Sequence, residues 1–472
     1  MTTNPEAHGT QDQDALEARQ RQGIADWVAA NLGGEVREIE RIARWRPCWK
    51  VAYAKGAETG TVFVRGHRPN SGANALRFEM EVMQTLEANG IRVPHIHGWM
   101  DSPKAFVMDW IGTEERAPGM LHTAIENPDR MSDERWQAML DYMDHLAALH
   151  AVPVEEFTHI RGMRVPQTPR DIALHATERM YQYGVKTGNI DAPLEFVQSW
   201  LRRNVPEHRT EPRFITGDAG QFMADGPKVA GLLDFEIAAI GDTHWDLACF
   251  RGRHPYEDMG DIPALYRRYA EASGQEVDLR VVGYHTVAFM QLSAIAALTF
   301  MDPQLVGGNW IEGVLEYCSI TRRGLEAIAE LQGQKLDHDL RLPEPAIRRF
   351  EDSGLQKLMV DVGRLPTSSA FAPWERDLLG AIPRFLLGWA RYRGWFEAET
   401  AADAAALVGR SFGDLASADA ALLEIIAAGD PARDEALVRV MHRRLLRLSM
   451  ITAGTDPDSA NPFFHKLDPI LS

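Results

Sequence analysis

The 472-residue sequence is poor in cysteine, with only Cys48, Cys249 and Cys318. They are odd in number, far apart and without metal-ligand spacing. That pattern predicts reduced thiols, a cytoplasmic setting and no zinc or iron–sulfur centre. Apolar runs of the ~18 residues that span a bilayer are also lacking. The best candidate, Val287–Phe300, is shorter, contains Gln291, Ser293 and Thr299, and reads as a buried helix. The opening stretch MTTNPEAHGTQDQDALEARQRQG has no apolar core, so it predicts a disordered tail running into a helix and no signal peptide. Positive charge is in deficit, with 50 basic against 67 acidic residues and a net charge of -17, most of it arising before residue 331. This balance argues against phosphate-backbone binding, and neither nucleic acid nor membrane is an expected partner. A cationic small substrate is allowed but not required.

What the sequence does contain is a change of character along its length. From Glu35 to Ile111 the signals are mostly β. KVAYA (Lys50–Ala54) and TVFVRG (Thr61–Gly66) flank the turn-rich KGAETG and read as a hairpin. ANALRFEMEVMQTLEANG sets Leu76, Met80 and Met83 on one helical stripe with Gly90 as its stop, and Lys104–Gly112 reads as a strand. Helices dominate after Gly112. Ser132 is a natural N-cap, Asp133 and Glu134 suit the first turn, and Trp136, Met139, Leu140, Met143 and Leu146 form an apolar stripe. Strands return between Phe214 and Asp234, turning at Asp225-Gly226. The polar run QGQKLDHDLRLPEP marks a linker before further helices from Ala346 to Ser472. The expected domains are a tail and first helix over 1–25, a β-rich lobe over 26–112, a larger helical lobe carrying the hairpin over 113–335, and an all-helical domain over 336–472. The class is therefore α+β, in the bilobal order of parts found in kinase-like folds.

The most informative run is FITGDAGQFMADGPKVAGLLDFEIAAIGDTHWDLACF, Phe214 to Phe250, which sets Asp218, Asp234, Asp242 and Asp246 among glycine and apolar residues. Burying acids in such a context costs free energy unless they are hydrogen-bonded or bind a metal. A hairpin turning at Asp225-Gly226 brings Asp218 and Gln221 near Asp234. Carboxylates and an amide oxygen suit Mg²⁺, a hard cation that keeps phosphate oxygens among its ligands. Phosphoryl transfer needs that metal and one further carboxylate to orient the attacking hydroxyl. Asp242 reads as a turn or cap residue, and HPYEDMGDIP (His254–Pro263) as a solvated loop.

TGDAGQFMADGPKVAGLLDFEIAAIGDTHWDLA resembles the catalytic core of the aminoglycoside phosphotransferase family, and in particular the branch similar to the kinase-like domain fused to some acyl-CoA dehydrogenases. The resemblance spans Glu35 to Glu330. It implies that Asp218 is the catalytic base, Asp234 the principal Mg²⁺ ligand and Asp246 a buried acid steadying the catalytic loop. Thr216 stands where the family has a loop-supporting His. Met223 stands where the family has Asn, five residues after the base, and a loop two residues shorter aligns Gln221 with that Asn as second metal ligand. VFVRGHRP resembles the strand carrying the nucleotide-binding Lys, with Arg65 in its place and Glu79 as ion-pair partner, Glu81 competing. The phosphate-covering stretch RIARWRPCWKV contains no glycine; either Arg44, Arg46 or Lys50 compensates by charge, or Trp45 and Trp49 form a packed corner. VMDWIG resembles the hinge at which Asp109, Trp110 and Ile111 offer backbone groups to adenine. The implied cofactors are ATP or GTP with Mg²⁺, and the implied partner is a small-molecule hydroxyl substrate, from aminoglycosides and amino alcohols to hydroxyacyl thioesters. The rival reading is a non-catalytic kinase-like module that binds a nucleotide or small ligand. The basic helix VRVMHRRLLRL is expected against acidic surface of this chain or of a second subunit, which leaves a homodimer through the C-terminal helices open.

Overall fold

The computed structural model describes residues 6–42, 46–67, 73–111, 131–304, 309–367, 372–457 and 464–471. Its first elements are α1 (Glu6–Asn31), β1 (Glu35–Arg41), β2 (Cys48–Lys55), β3 (Glu58–Gly66), α2 (Ala73–Ala88), β4 (Ile96–Asp101) and β5 (Lys104–Asp109). There follow α3 (Asp133–His150), α4 (Pro169–Thr187), α5 (Ala192–Arg203), β6 (Arg213–Ile215), β7 (Phe222–Asp225), β8 (Lys228–Leu232) and β9 (Ala239–Gly241). The remainder is helical: α6 (Thr243–Arg253), α7 (Ile262–Ser273), α8 (Leu279–Ala297), α9 (Trp310–Leu331), α10 (Arg349–Gly363), α11 (Ala372–Val408), α12 (Leu415–Ala428) and α13 (Asp434–Ala453). The class is α+β, with the additional helical region at the C-terminus. The chain divides into two compact units: Met1–Arg116 with Glu155–Met163 and Gln221–Ala238, and Ala117–Val154 with Arg164–Gly220 and Ala239–Ser472.

In the first unit the five strands form an antiparallel sheet in the order β1-β2-β3-β5-β4, and β7 pairs with β8 as a separate ribbon. Alternation sorts the two faces. Val62 and Val64 of β3 join Trp49, Val51, Met100, Ala105 and Val107 in a buried cluster with Ile24 and Val28 of α1. Arg65, between the buried Val64 and Gly66, lies on the other face. The β2–β3 hairpin closes where Lys55 pairs with Glu58, with Gly56 at φ +64° in the two-residue turn. Most of the expected disordered tail is helix, because residues 6–31 hold no proline and many Ala, Glu, Gln and Arg. β4 was not legible as a strand, since its pairing with β5 is irregular at Gly98. The catalytic-run hairpin, expected with the helical lobe, groups with the sheet.

In the second unit Ser132 caps α3 by accepting a hydrogen bond from Arg135 N at 3.1 Å, and Met139, Met143 and Leu146 are buried on its inner stripe. The apolar helix is longer than its sequence core suggested. Among the described residues, Leu279–Met301 is the one stretch long and apolar enough to cross a membrane, and 83% of its apolar window is buried inside the protein. The C-terminal helices pack into this same unit through α9 and α13. The polar run after α9 forms neither helix nor strand, yet it is bonded down: Gln334 Nε2 donates to Glu435 O at 2.9 Å and Leu342 N to Asp456 Oδ1 at 2.6 Å. The basic face of α13 meets acids of its own chain, with Arg443 and Arg447 on Asp403 at 3.2 and 2.6 Å and Arg444 on Asp419 at 2.5 Å. Glu326 of α9 accepts from Arg322 and from the Nε2 atoms of His338 and His442, both at 3.2 Å, on one oxygen, and from Leu467 N at 2.8 Å on the other. Burial opposes ionisation there, but Arg322 and the two imidazoles hold the carboxyl well below its usual range. Arg322 shares that oxygen with the two imidazoles, and the Glu–His–His trio forms a buried hydrogen-bond hub that ties α9 to α13.

Candidate active site

The first unit collects Arg65, Glu79, Asp109, Trp110, Ile111, Gln221 and Asp234 from the expected set. The β7–β8 ribbon turns at Asp225-Gly226 as the sequence implies, with Asp225 opposite Lys228. Just below the ribbon, Leu233 N donates to Gln221 O at 3.0 Å, which sets Gln221 across from the residue preceding Asp234. Asp234 has φ +65°, the one non-glycine among the described residues in the left-handed region. Such strain persists only when the surroundings over-determine it, and it concentrates at functional positions. Arg65 Nη2 donates to Asp234 Oδ1 at 2.9 Å and lies 2.8 Å from Glu79 Oε1, while its Nε donates to Glu79 Oε2 at 2.9 Å. Burial alone would lower the Arg65 guanidinium, but Glu79, Asp234 and Glu236 outweigh it and hold it firmly charged. Of the two acids that competed for Arg65, Glu79 on α2 is its partner. In the segment 109–111 Asp109 N donates to His95 O at 2.9 Å and Trp110 N to Thr61 O at 3.4 Å. Those two N–H groups serve the sheet, which leaves the weight of the adenine expectation on Ile111 and the carbonyl oxygens.

The donor chemistry fits a hard cation. Asp234 and Gln221 offer a carboxylate and an amide, without sulfur or imidazole, and Asp234 is a quarter exposed (24%) and already carries a cation in the Arg65 guanidinium.

The second unit holds Thr216, Asp218 and Asp246. Asp246, on α6, is fully buried. Its Oδ2 accepts from Thr216 N at 2.7 Å and from His150 Nε2 at 3.0 Å, and its Oδ1 accepts from Gly217 N at 3.0 Å. Trp245 Nε1 donates to Gly217 O at 2.9 Å, and Gly220 N donates to Tyr142 OH at 3.0 Å. The loop needs its glycines: Gly217 and Gly220 sit at φ +82° and +98°, and a Cβ on Gly220 would lie 2.9 Å from the Met259 side chain. Thr216 Oγ1 is buried without a hydrogen-bond partner, so the residue replacing the family's His contributes its backbone and not its side chain. The imidazole that supports this loop is His150 of α3. Asp242 is the N-cap of α6, accepting from His244 N at 3.0 Å and from Arg209 on both oxygens at 2.9 Å.

Two residues tied to Asp218, Arg253 and Glu316, escaped the reading of the sequence. Arg253 donates to Asp218 Oδ1 and, at 2.9 Å, to Glu257 Oε1. Burial, Glu312 and Asp218 push Glu316 of α9 up to about 8, against the pull of Arg253. A signal existed for each. Arg253 follows Asp246 by seven residues, two turns along one helix, and Glu312 and Glu316 stand one turn apart in the mostly apolar opening stretch of α9, Trp310–Cys318.

Residues 49–290 match the model of the APH phosphotransferase enzyme family. The chain belongs to that family. Membership makes it a small-molecule phosphotransferase by descent, and the match selects no branch of the family. No curated protein matches the chain. Solved structures similar to it include a macrolide 2'-phosphotransferase from Brachybacterium faecium, at 16% identity and TM-score 0.44, covering 61% of this chain and 97% of that one. Another is an aminoglycoside phosphotransferase in ternary complex with ADP and hygromycin B, at 14% identity and TM-score 0.43, covering 64% and 98%. A third is an ethanolamine kinase from Plasmodium vivax, at 12% identity and TM-score 0.43, covering 60% and 81%.

Proposed function

We propose that this APH-family protein moves the γ-phosphoryl group of ATP, or GTP, to a hydroxyl of a small organic molecule, an amino alcohol or hydroxyacyl-type compound. The observation that carries this reading is the presentation of Asp218. Its loop is bonded through two backbone amides into one buried carboxylate, which leaves the Asp218 side chain a quarter exposed (25%) on a rigid base. Asp218 takes the role of base, accepting or orienting the proton of the acceptor hydroxyl. Asp234 and Gln221 take the role of Mg²⁺ ligands, and Arg65, set by Glu79, that of the phosphate cation. Bound Mg²⁺ supplies the positive charge that offsets phosphate charge as the bond to the leaving oxygen breaks.

One observation favours the rival, a non-catalytic binding module: Arg253 pairs with one oxygen of the Asp218 carboxylate. A thermal-shift screen of ATP and GTP with and without Mg²⁺, followed by nucleoside-diphosphate release across a library of hydroxyl compounds, separates the two. Release with any acceptor supports the enzyme. Tight Mg-nucleotide binding with no acceptor across amino alcohols and hydroxyacyl compounds supports the module, and no nucleotide binding sinks the enzyme and leaves only a module for a non-nucleotide small ligand.

A further inference from the structure

The β1–β2 connection, residues 42–47, contains no glycine. Its backbone therefore cannot close over phosphates as the glycine-rich loop of kinases does, and some other donor has to do that work. Besides Arg41, whose Nη1 reaches Arg46 O at 3.5 Å and Cys48 O at 3.4 Å, three cations stand in or beside the stretch. Arg44 and its neighbour Trp45 lie outside the described residues. Lys50 places its Nζ over the Trp110 ring, 4.6 Å from the centroid, and Trp49 is committed to the core. Arg46 is the third. It is buried, at 6% exposure, and its Nη1 reaches Gly66 O at 3.4 Å, which fixes the guanidinium beside the strand that carries Arg65. Its Nη2 donates to Glu236 Oε2.

Glu236 follows Asp234 by two residues and is partly exposed at 23%. Its Oε2 is also 4.0 Å from Arg65 Nη2, so Arg65 alone reaches Glu79, Asp234 and Glu236. Two guanidinium groups thus face three carboxylates within the first unit, and Glu236 has a second cation at hand when Arg46 changes partner. A planar guanidinium matches phosphate oxygens at least as well as a carboxylate and forms its strongest hydrogen bonds to such anions.

We infer that Arg46 is the phosphate clamp of this protein: it stands in for the missing glycine-rich backbone donors and exchanges Glu236 for a nucleotide phosphate oxygen. The inference rests on the nucleotide reading above and adds to it the residue that grips the phosphates from the β1–β2 side. The opposing possibility is a structural latch, in which the Arg46–Glu236 pair ties the strand corner to the segment after β8 and never meets a ligand.

Binding of adenosine, AMP, ADP and ATP to the full-length protein, measured by calorimetry and thermal shift without and with Mg²⁺, distinguishes them. For a clamp, Arg46→Gln loses about ten-fold in ATP affinity, the size of one charge-assisted hydrogen bond, while adenosine affinity is unchanged. Arg46→Lys falls between. Glu236→Gln removes the competing carboxylate and raises Mg-free ATP affinity. For a latch, Arg46→Gln and Glu236→Gln lower the melting temperature alike and weaken adenosine and ATP by the same factor, and that result overturns the inference. If wild-type protein binds neither these four ligands nor their guanosine counterparts, the nucleotide reading falls and the clamp with it. If wild type binds them and Arg46→Gln keeps the full dependence on phosphate number, only the clamp falls.

Discussion

The two units hold their acids by different means. In the first, Asp234 is a quarter exposed and kept in place by a side-chain ion pair to Arg65, itself shared with Glu79 and Glu236. In the second, Asp246 is fully buried and held by the amides of Thr216 and Gly217 and by His150. Ion pairs between side chains can change partners when a phosphate or a metal arrives, because each loses one charged neighbour and gains another. Backbone amides bonded to a buried carboxylate have no such substitute. The first arrangement suits groups that must release one partner to take another, and the second suits a frame that must not move. Substitutions in the two regions should accordingly fail in different ways, binding in one and folding in the other.

The largest effect is expected at Asp246. Replacing it with Ala leaves two amides and an imidazole without their acceptor in a buried place, a loss of about 3–5 kcal/mol of stability by analogy with broken buried pairs. Denaturant midpoints of the variant and wild type check this. A midpoint within error of wild type would mean that the loop does not depend on the buried carboxylate. Next is Asp218, on the loop but not in its frame. Asp218→Asn should cut turnover by about 10²-fold or more and leave nucleotide affinity within a few-fold, because a base acts on the acceptor hydroxyl and barely touches the bound nucleotide. A lowered melting temperature together with weakened ATP binding would instead make Asp218 part of the frame and erase the contrast between the two positions.

Much of this site was legible before any coordinates because its signals are local. The Asp225-Gly226 turn needs only the conformational preferences of two residues, the Ser132 cap only the amide three residues on, and Asp246 betrays itself as an acid in an apolar helix. The rest depends on what folding brings from a distance. Arg253 shares a helix with Asp246, yet its pairing with Asp218 spans 35 residues of sequence. The choice of Glu79 over Glu81 depends on how α2 is rotated against the sheet: two residues apart, they point about 200° from each other, and packing decides which face meets Arg65. Thr216 stands where the family has a loop-supporting His, and it holds the loop through its amide, which any residue there would possess. β4 failed for the opposite reason: Gly98 interrupts the alternation that would have announced it.

A smaller effect is expected at Asp234, where exchange of partners is the point. Asp234→Asn should leave the fold intact, since Arg65 keeps Glu79 and Glu236, and should abolish the Mg²⁺-dependent part of nucleotide stabilisation. At a ligand concentration about 100-fold above the dissociation constant the full stabilisation is about 2.7 kcal/mol, enough for a melting shift to resolve its loss. An undiminished Mg²⁺-dependent shift in the folded variant would take the metal away from Asp234.

The effect at Glu316 is read against pH, and it sharpens the comparison by asking how the second unit treats a carboxyl that burial keeps protonated. Burial first, then Glu312 and Asp218, raise its carboxyl to about 8, with Arg253 opposing. In the unfolded chain the same group titrates near its ordinary value of about 4.3. Between those two values the folded protein keeps a proton that the unfolded chain has lost. Its contribution to stability therefore falls as pH rises through that window and levels off above about 8. Glu316→Gln removes this titration and keeps a neutral side chain of similar shape. The variant should melt close to wild type at pH 5 and progressively above it as pH rises to 8, in parallel scans of the two proteins. A melting difference that stays constant from pH 5 to 8 would show Glu316 ionised in the fold throughout, its charge balanced by Arg253 in the manner of the first unit.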